Sequence, residues 1–203
     1  MNYLLRYSRV YSFTQFDPYY ASAATYFLAS KEMDMPVGLA GLAVVLVDLR
    51  KLPSSEDNIK AAKDGITAEE ERVLGSLGFD LVVEFPDAYI DLFCEILVSN
   101  KVDGGLVKNI SCIAHSYSED TYSTTLPLYY HPLVIACACL KFSLIYHRTQ
   151  VQDRNGLPWY KWLSPEVELL SVEKLFVQLK DSFSFLQRSS TVISQVSLSS
   201  IIC

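Results

Sequence analysis

The sequence of 203 residues is short of basic side chains. It has 17 lysines and arginines against 23 aspartates and glutamates, which gives a formal net charge of −6, and its longest basic run is the pair Arg50-Lys51. Proteins that bind nucleic acid rest much of their affinity on neutralising phosphates with basic side chains. We therefore expect no direct contact with nucleic acid.

Long apolar segments are also scarce. The longest covers residues 35–47, is interrupted by two glycines and ends at Asp48. A helix that spans a membrane needs about 20 consecutive apolar residues. The first six residues lack the basic region and the long apolar core of a signal peptide. We expect neither a membrane span nor export.

The cysteines are few and odd in number, which argues against a framework of disulfides. Four of them lie in apolar helical patterns that are typical of reduced, buried thiols: Cys94, Cys112, Cys137 and Cys139. The fifth, Cys203, is the last residue and lacks the three residues that follow the cysteine in a prenylation signal. We expect an intracellular protein.

Apolar residues make up 50% of the sequence, and they recur with a period of 3.6. In the first half this pattern predicts helices over residues 3–14, 18–31, 36–49 and 68–77. Residues 50–65 are predicted to form a polar connection. Thr67 is predicted to cap the next helix and to place Glu69, Glu70 and Glu71 in its first turn. In the second half the pattern predicts helices over about residues 89–97, 105–118, 133–146 and 172–183.

Two prolines indicate an internal repeat. Pro18 and Pro132 each open a helix that is rich in small residues, and they lie 114 positions apart. This spacing predicts two all-α units, each built around a central helix of small residues. We expect these units over residues 1–82 and 83–186, followed by a Ser-rich tail over residues 187–203.

Three stretches resemble the cyclins, a family built from two repeats of a five-helix box. Residues 27–31 (Phe-Leu-Ala-Ser-Lys) are similar to the end of the third helix of the first box. Residues 70–81, which end in Leu-Gly-Phe-Asp-Leu, are similar to its fifth helix and the exit from it. Residues 131–136 (His-Pro-Leu-Val-Ile-Ala) are similar to the third helix of the second box. The resemblance covers about residues 3–186.

Residues 12–16 (Ser-Phe-Thr-Gln-Phe) and the pair Trp159-Tyr160 resemble the transcription-type cyclins T, K and L. The resemblance implies an all-α tandem cyclin-box fold with an N-terminally shortened first box. It also implies a non-catalytic subunit that binds and activates a cyclin-dependent protein kinase as a heterodimer, with no cofactor and no metal. The subtype implies a kinase that regulates RNA polymerase II transcription, and a location in the nucleus.

The resemblance also implies a kinase-binding site in the first unit. In cyclins, a lysine and a glutamate bracket a hydrophobic groove and hydrogen-bond to the kinase backbone beside its C-helix. Here Lys31 and Glu70 would be this polar clamp, and Leu28 and Leu74 would line the groove. The residues agree with this on their own terms, because Leu28 and Lys31 share one helical face and Glu70 and Leu74 share another. The predicted helix positions also favour these charges. Lys31 is predicted at a C-terminal helix end, where the dipole favours a cation, and Glu70 in a first turn, where it favours an anion.

The chain departs from the family pattern at its N-terminus and after the lysine. It begins where the second helix of the first box is expected, so the substrate-docking patch that cell-cycle cyclins carry on the first helix has no counterpart. The acidic pair that usually follows the lysine is altered to Glu32-Met33-Asp34. The positions 114 residues after Lys31 and Glu70 hold Ile145 and Ser184. We therefore expect kinase binding mainly in the first box.

Nothing in the sequence predicts an enzyme. Glu69, Glu70 and Glu71 have no histidine or nucleophile at a recognisable spacing, so we assign no catalytic residue. Cys137 and Cys139 are two positions apart and point about 200° apart around a helix, so they cannot share one metal ion.

Three other functions stay open. The first is a cyclin-fold transcription factor that binds promoter DNA, which the net charge of −6 disfavours. The second is a scaffold that docks proteins without activating a kinase. The third is a cell-cycle cyclin.

Overall fold

The computed structural model describes residues 2–151 and 156–182, and this part of the chain is built from helices without a strand. The predicted all-α fold is confirmed. The chain divides into two compact units, Met1–Val83 and Glu84–Cys203. Among the described helices, none is long and apolar enough to cross a membrane.

The described part of the first unit, residues 2–83, contains four helices: α1 (Asn2–Val10), α2 (Pro18–Glu32), α3 (Leu39–Leu49) and α4 (Glu56–Ser76). Helix α2 begins as the sequence predicts, because the Asp17 side chain accepts a hydrogen bond from the backbone N–H of Tyr19 at 2.9 Å and Pro18 occupies the first turn. Helix α1 is shorter than predicted, and α3 begins three residues later than predicted, after Gly38.

The prediction of a polar connection over residues 50–65 is wrong for its second half. Helix α4 begins at Glu56, where the Ser55 side chain accepts a hydrogen bond from the backbone N–H of Asn58 at 3.2 Å. Thr67 is therefore not a cap; its hydroxyl donates to the Lys63 carbonyl within the helix. The helical period was hidden because alanine and glutamate occupy several of the buried positions of α4, where large apolar residues would have revealed it.

Helix α2 lies at the centre of the first unit, as its small residues predict. It contributes to both buried clusters of this unit, one shared with α1 and α4 and the other with α3 and α4. Small side chains allow a close approach of neighbouring helices. Gly65 of α4 shows how close: a Cβ atom at this position would lie 2.5 Å from Cε1 of Tyr20 on α2.

The described part of the second unit contains four helices: α5 (Pro86–Ser99), α6 (Gly104–Thr121), α7 (Pro132–Tyr146) and α8 (169–182). Single 3₁₀ turns cover Leu126–Leu128 and Trp159–Trp162. The Ser-rich tail that the sequence predicts over residues 187–203 lies outside the described residues.

Helix α7 is the central helix of the second unit, as predicted from its small residues. It supplies eight buried residues, among them Cys137 and Cys139. Trp159 and Trp162 both pack on Phe93 of α5. The centroid of the Phe93 ring lies 5.4 Å from that of Trp159 and 5.9 Å from that of Trp162. The prediction that four cysteines are buried is wrong for Cys112, which is exposed on α6 because it lies outside the buried stripe of that helix.

His115 of α6 joins two acidic residues of α5. Its Nδ1 lies 2.9 Å from Oδ1 of Asp87, and its Nε2 lies 3.0 Å from Oδ1 of Asp91. Both nitrogens can donate only when the imidazole is protonated. Burial alone would lower the pKa of His115, but the hydrogen bonds to Asp87 and Asp91, together with their charges, raise it above its ordinary value of 6.5.

This geometry predicts a pH-dependent contribution to stability. Because the pKa of His115 is raised in the folded state, its contribution is complete below the ordinary value of 6.5 and is lost as the pH rises through the folded-state pKa. We expect urea denaturation to show a larger loss of unfolding free energy for His115→Asn at about pH 6 than at about pH 8.5. The double variant Asp87→Asn/Asp91→Asn removes both negative charges that raise the pKa of His115, so its unfolding free energy should lose the same pH dependence. Parallel profiles for wild type and His115→Asn would contradict the bridge.

Candidate functional site

The structure brings Lys31 and Glu70 together. Lys31 lies in the last turn of α2, and Glu70 faces it from α4. The Lys31 ammonium donates to both carboxylate oxygens of Glu70, with Nζ 2.7 Å from Oε1 and 2.9 Å from Oε2. Two residues that are 39 positions apart in the sequence thus form one ion pair on the first unit.

The two partners of this pair differ in exposure. The Glu70 side chain is only 9% exposed, whereas the Lys31 side chain is 46% exposed. The Lys31 ammonium also lies 4.0 Å from the centroid of the Phe27 ring, which favours a cation at that point. An ammonium has three N–H donors and a carboxylate has about four acceptor positions, so each partner can make further hydrogen bonds.

The sequence predicts that Lys31 and Glu70 both lie at helix ends whose dipoles favour their charges. This prediction is wrong for Glu70. Lys31 does lie at the C-terminal end of α2, where the helix dipole favours a cation. Glu70, however, lies about four turns after the first residue of α4, because that helix begins at Glu56. The dipole therefore does not explain a carboxylate at position 70. The ammonium of Lys31 provides the favourable charge instead.

The two predicted groove residues lie mostly below the surface. Leu28 is 4% exposed and belongs to the buried cluster that α1, α2 and α4 share. Leu74 is partly buried and packs against the same cluster. More apolar surface is offered by Met33 and Met35, which follow Lys31 in the chain and are exposed. The lining of the groove by Leu28 and Leu74 stays a prediction.

A second carboxylate beside Glu70 belongs to a network that the sequence analysis missed. Glu69 is buried, and its Oε1 accepts a hydrogen bond from the hydroxyl of Tyr7 on α1 at 2.7 Å. Its Oε2 accepts one from Arg72 at 2.9 Å. Burial and the hydrogen bond to Glu69 raise the pKa of Tyr7, so this hydroxyl remains a donor. Of these contacts, only the i,i+3 spacing of Glu69 and Arg72 could have been read from the sequence.

The equivalent positions in the second unit can be compared only in part. Ile145, which corresponds to Lys31, is an exposed residue in the last turn of α7. Ser184, which corresponds to Glu70, lies outside the described residues.

The described residues contain no group of three or more histidine, cysteine or acidic side chains that could hold a metal ion. Cys137 and Cys139 are fully buried in α7. Burial raises the pKa of Cys137 to about 12 and also raises the pKa of Cys139, so both remain thiols at neutral pH. These two residues therefore have the properties of core residues.

Comparisons with known proteins bear on the whole chain. It is 26% identical to Cyclin-T of Drosophila melanogaster over 98% of its length, 27% identical to human Cyclin-T1 over 85%, and 24% identical to human Cyclin-K over 90%. No family model matches it. The matched regions cover 17%, 24% and 32% of these three relatives, so the chain spans a third or less of their length. The predicted resemblance to the transcription-type cyclins is confirmed, and it supports a cyclin-box fold for the helical units described above.

The Tyr7–Glu69 contact predicts a structural role that a pair of conservative variants can test. Tyr7→Phe removes the hydroxyl that donates to a buried carboxylate, so we expect a loss of about 1–3 kcal/mol in the free energy of unfolding. Tyr11→Phe is the matched control, because Tyr11 lies one helical turn further along and is only partly buried. Denaturation monitored by circular dichroism would measure both. Equal stabilities for the two variants would contradict the network.

Proposed function

We propose that this chain, which resembles the transcription-type cyclins, is a cyclin that works as a non-catalytic regulatory subunit. It binds the catalytic subunit of a cyclin-dependent serine/threonine protein kinase as a heterodimer and activates it in the nucleus. The kinase is one that regulates RNA polymerase II transcription. Residues 1–82 form the first cyclin box, residues 83–186 the second, and residues 187–203 a tail.

The observation that carries this proposal is the ion pair of Lys31 and Glu70. The resemblance to cyclins implies this lysine and this glutamate as a clamp, and their charged atoms lie 2.7 Å apart. Leu28 and Leu74 would support the clamp from α2 and α4. The half-exposed ammonium of Lys31 and the free acceptor positions of Glu70 suit backbone groups of a partner, because a peptide group offers one donor and one acceptor.

Activation follows from where such a clamp holds the kinase. Protein kinases need a glutamate of the C-helix to pair with the lysine that contacts the ATP phosphates. A cyclin that binds the kinase beside this helix favours the conformation in which the pair is formed. The chain then performs no chemistry and shifts the population of its partner toward the active state.

A charge exchange tests the interface without breaking the ion pair. Lys31→Glu/Glu70→Lys keeps one positive and one negative charge at the same two positions but reverses what each position offers to the kinase backbone. We expect affinity for the kinase to fall by about 2 kcal/mol or more, which is roughly thirtyfold. The measurement is co-purification with the kinase, identified by mass spectrometry, followed by titration of the purified pair.

The matched control is Arg6→Asp/Asp80→Arg. This pair lies in the same unit, with its charged atoms 3.3 Å apart, and its exchange should leave kinase affinity unchanged. Unchanged affinity for the Lys31/Glu70 exchange, with helicity preserved, would exclude the proposed interface. Kinase activity measured with and without the chain separates an activator from a scaffold, because a scaffold would bind without raising the rate.

A further inference from the structure

Two arginines line a depression on another part of the first unit's surface. Lys31 and Glu70 are not part of its lining. The depression has a volume of about 760 Å³ and lies between the loop that precedes α2, the C-terminal end of α3 and the middle of α4. Arg50 reaches it from the end of α3, and Arg72 reaches it from α4. The rest of its lining comes from residues 14–20, Gly65 and Glu69.

The two carboxylates in this depression are already paired within the protein. Asp17 accepts a hydrogen bond from the backbone N–H of Tyr19 through Oδ1, and its Oδ2 lies 3.0 Å from Arg50. Glu69 accepts from Tyr7 through Oε1 and from Arg72 through Oε2. All four carboxylate oxygens therefore have an intramolecular partner.

The two guanidinium groups, in contrast, keep unused donors. Each has five N–H groups. Within the described residues, Arg50 makes one ion pair, to Asp17, and Arg72 donates to Glu69 at 2.9 Å and to the Gln15 carbonyl at 3.5 Å. The Arg50 and Arg72 side chains are 31% and 42% exposed. Solvent or a ligand can therefore reach their remaining N–H groups.

The surrounding aromatic rings hold these two arginines in place. Arg50 lies 5.7 Å and 5.1 Å from the ring centroids of Tyr19 and Tyr20, and Arg72 lies 5.2 Å from that of Tyr11. Stacking on aromatic rings restricts a guanidinium and lowers the entropy lost on binding. The N-terminal end of the 15-residue helix α2 also borders the depression, where the Asp17 carboxylate already caps it.

We propose that this depression binds the phosphate of a phosphoserine or phosphothreonine side chain in a partner protein. A phosphate monoester carries nearly two negative charges and three acceptor oxygens, which suit two arginine forks better than a single carboxylate does. The depression is open and larger than a phosphate group. Phe16, Pro18 and Tyr19 provide apolar walls for the residues that flank a phosphorylated side chain. This site goes beyond the proposed kinase interface, because it uses neither residue of the clamp.

The test is a titration of the chain with three probes. Calorimetry measures the affinity for each probe, and backbone amide chemical shifts locate where it binds. The probes are a short peptide with a central phosphoserine, the same peptide with serine, and inorganic phosphate. We expect saturable binding of the phosphopeptide, with amide shifts concentrated at residues 14–20. The unphosphorylated peptide should bind at least tenfold more weakly. Binding of inorganic phosphate as tight as that of the phosphopeptide would overturn the assignment to a peptide side chain, as would no binding at all.

Variants assign the binding to the two arginines. Arg50→Ala/Arg72→Ala should weaken phosphopeptide binding at least tenfold. Arg50→Lys/Arg72→Lys keeps both charges and a cation beside Glu69, but loses the forks, and should also weaken it. Arg6→Ala/Lys60→Ala removes the same charge elsewhere in the unit and should leave binding unchanged. Equal weakening by the control, or full affinity in the folded lysine variant, would overturn the site.

Discussion

Two adjacent buried carboxylates on α4 determine how the first unit is held together. Glu69 and Glu70 are both almost withdrawn from water, and a buried carboxylate is costly unless charged or hydrogen-bonding partners surround it. Consecutive residues of a helix point about 100° apart, so the two side chains need partners from different elements. Glu69 takes a hydroxyl from α1, and Glu70 takes an ammonium from α2. Satisfying both positions fixes α1 and α2 against the same helix.

This arrangement depends in turn on the small residues of α2. The ammonium of Lys31 can reach Glu70 because α2 packs closely against α4. Helix α4 carries both Glu69 and Glu70. Gly65 and the alanines of α2 allow that approach, and a larger side chain at position 65 would meet the Tyr20 ring. The composition of a core helix thereby sets the position of a charged pair in which Glu70 is buried and Lys31 is half-exposed.

The features of the fold that depend on short sequence motifs or on residue size could be predicted from the sequence. The N-cap at Asp17 and the central position of α2 and α7 follow from short motifs and from residue size, and both are observed. The beginning of α4 was missed because its buried face lacks the large apolar residues that mark a helix in a sequence. The Tyr7–Glu69 contact and the bridge at His115 join residues that are 62 and 24–28 positions apart. No propensity or spacing rule connects such residues, since only the packed fold brings them together.

The distribution of thiols in the second unit has an experimental consequence. Cys112 is exposed on α6, while Cys94, Cys137 and Cys139 are buried. A maleimide added to the folded chain reaches Cys112 at once, whereas the three buried thiols react only when their helices separate. Once Cys112 is blocked, the rate of further labelling at these three positions, measured separately from labelling at Cys203, reports how often the core of this unit opens. The chain thus contains its own probe of local unfolding, with no need for an introduced cysteine.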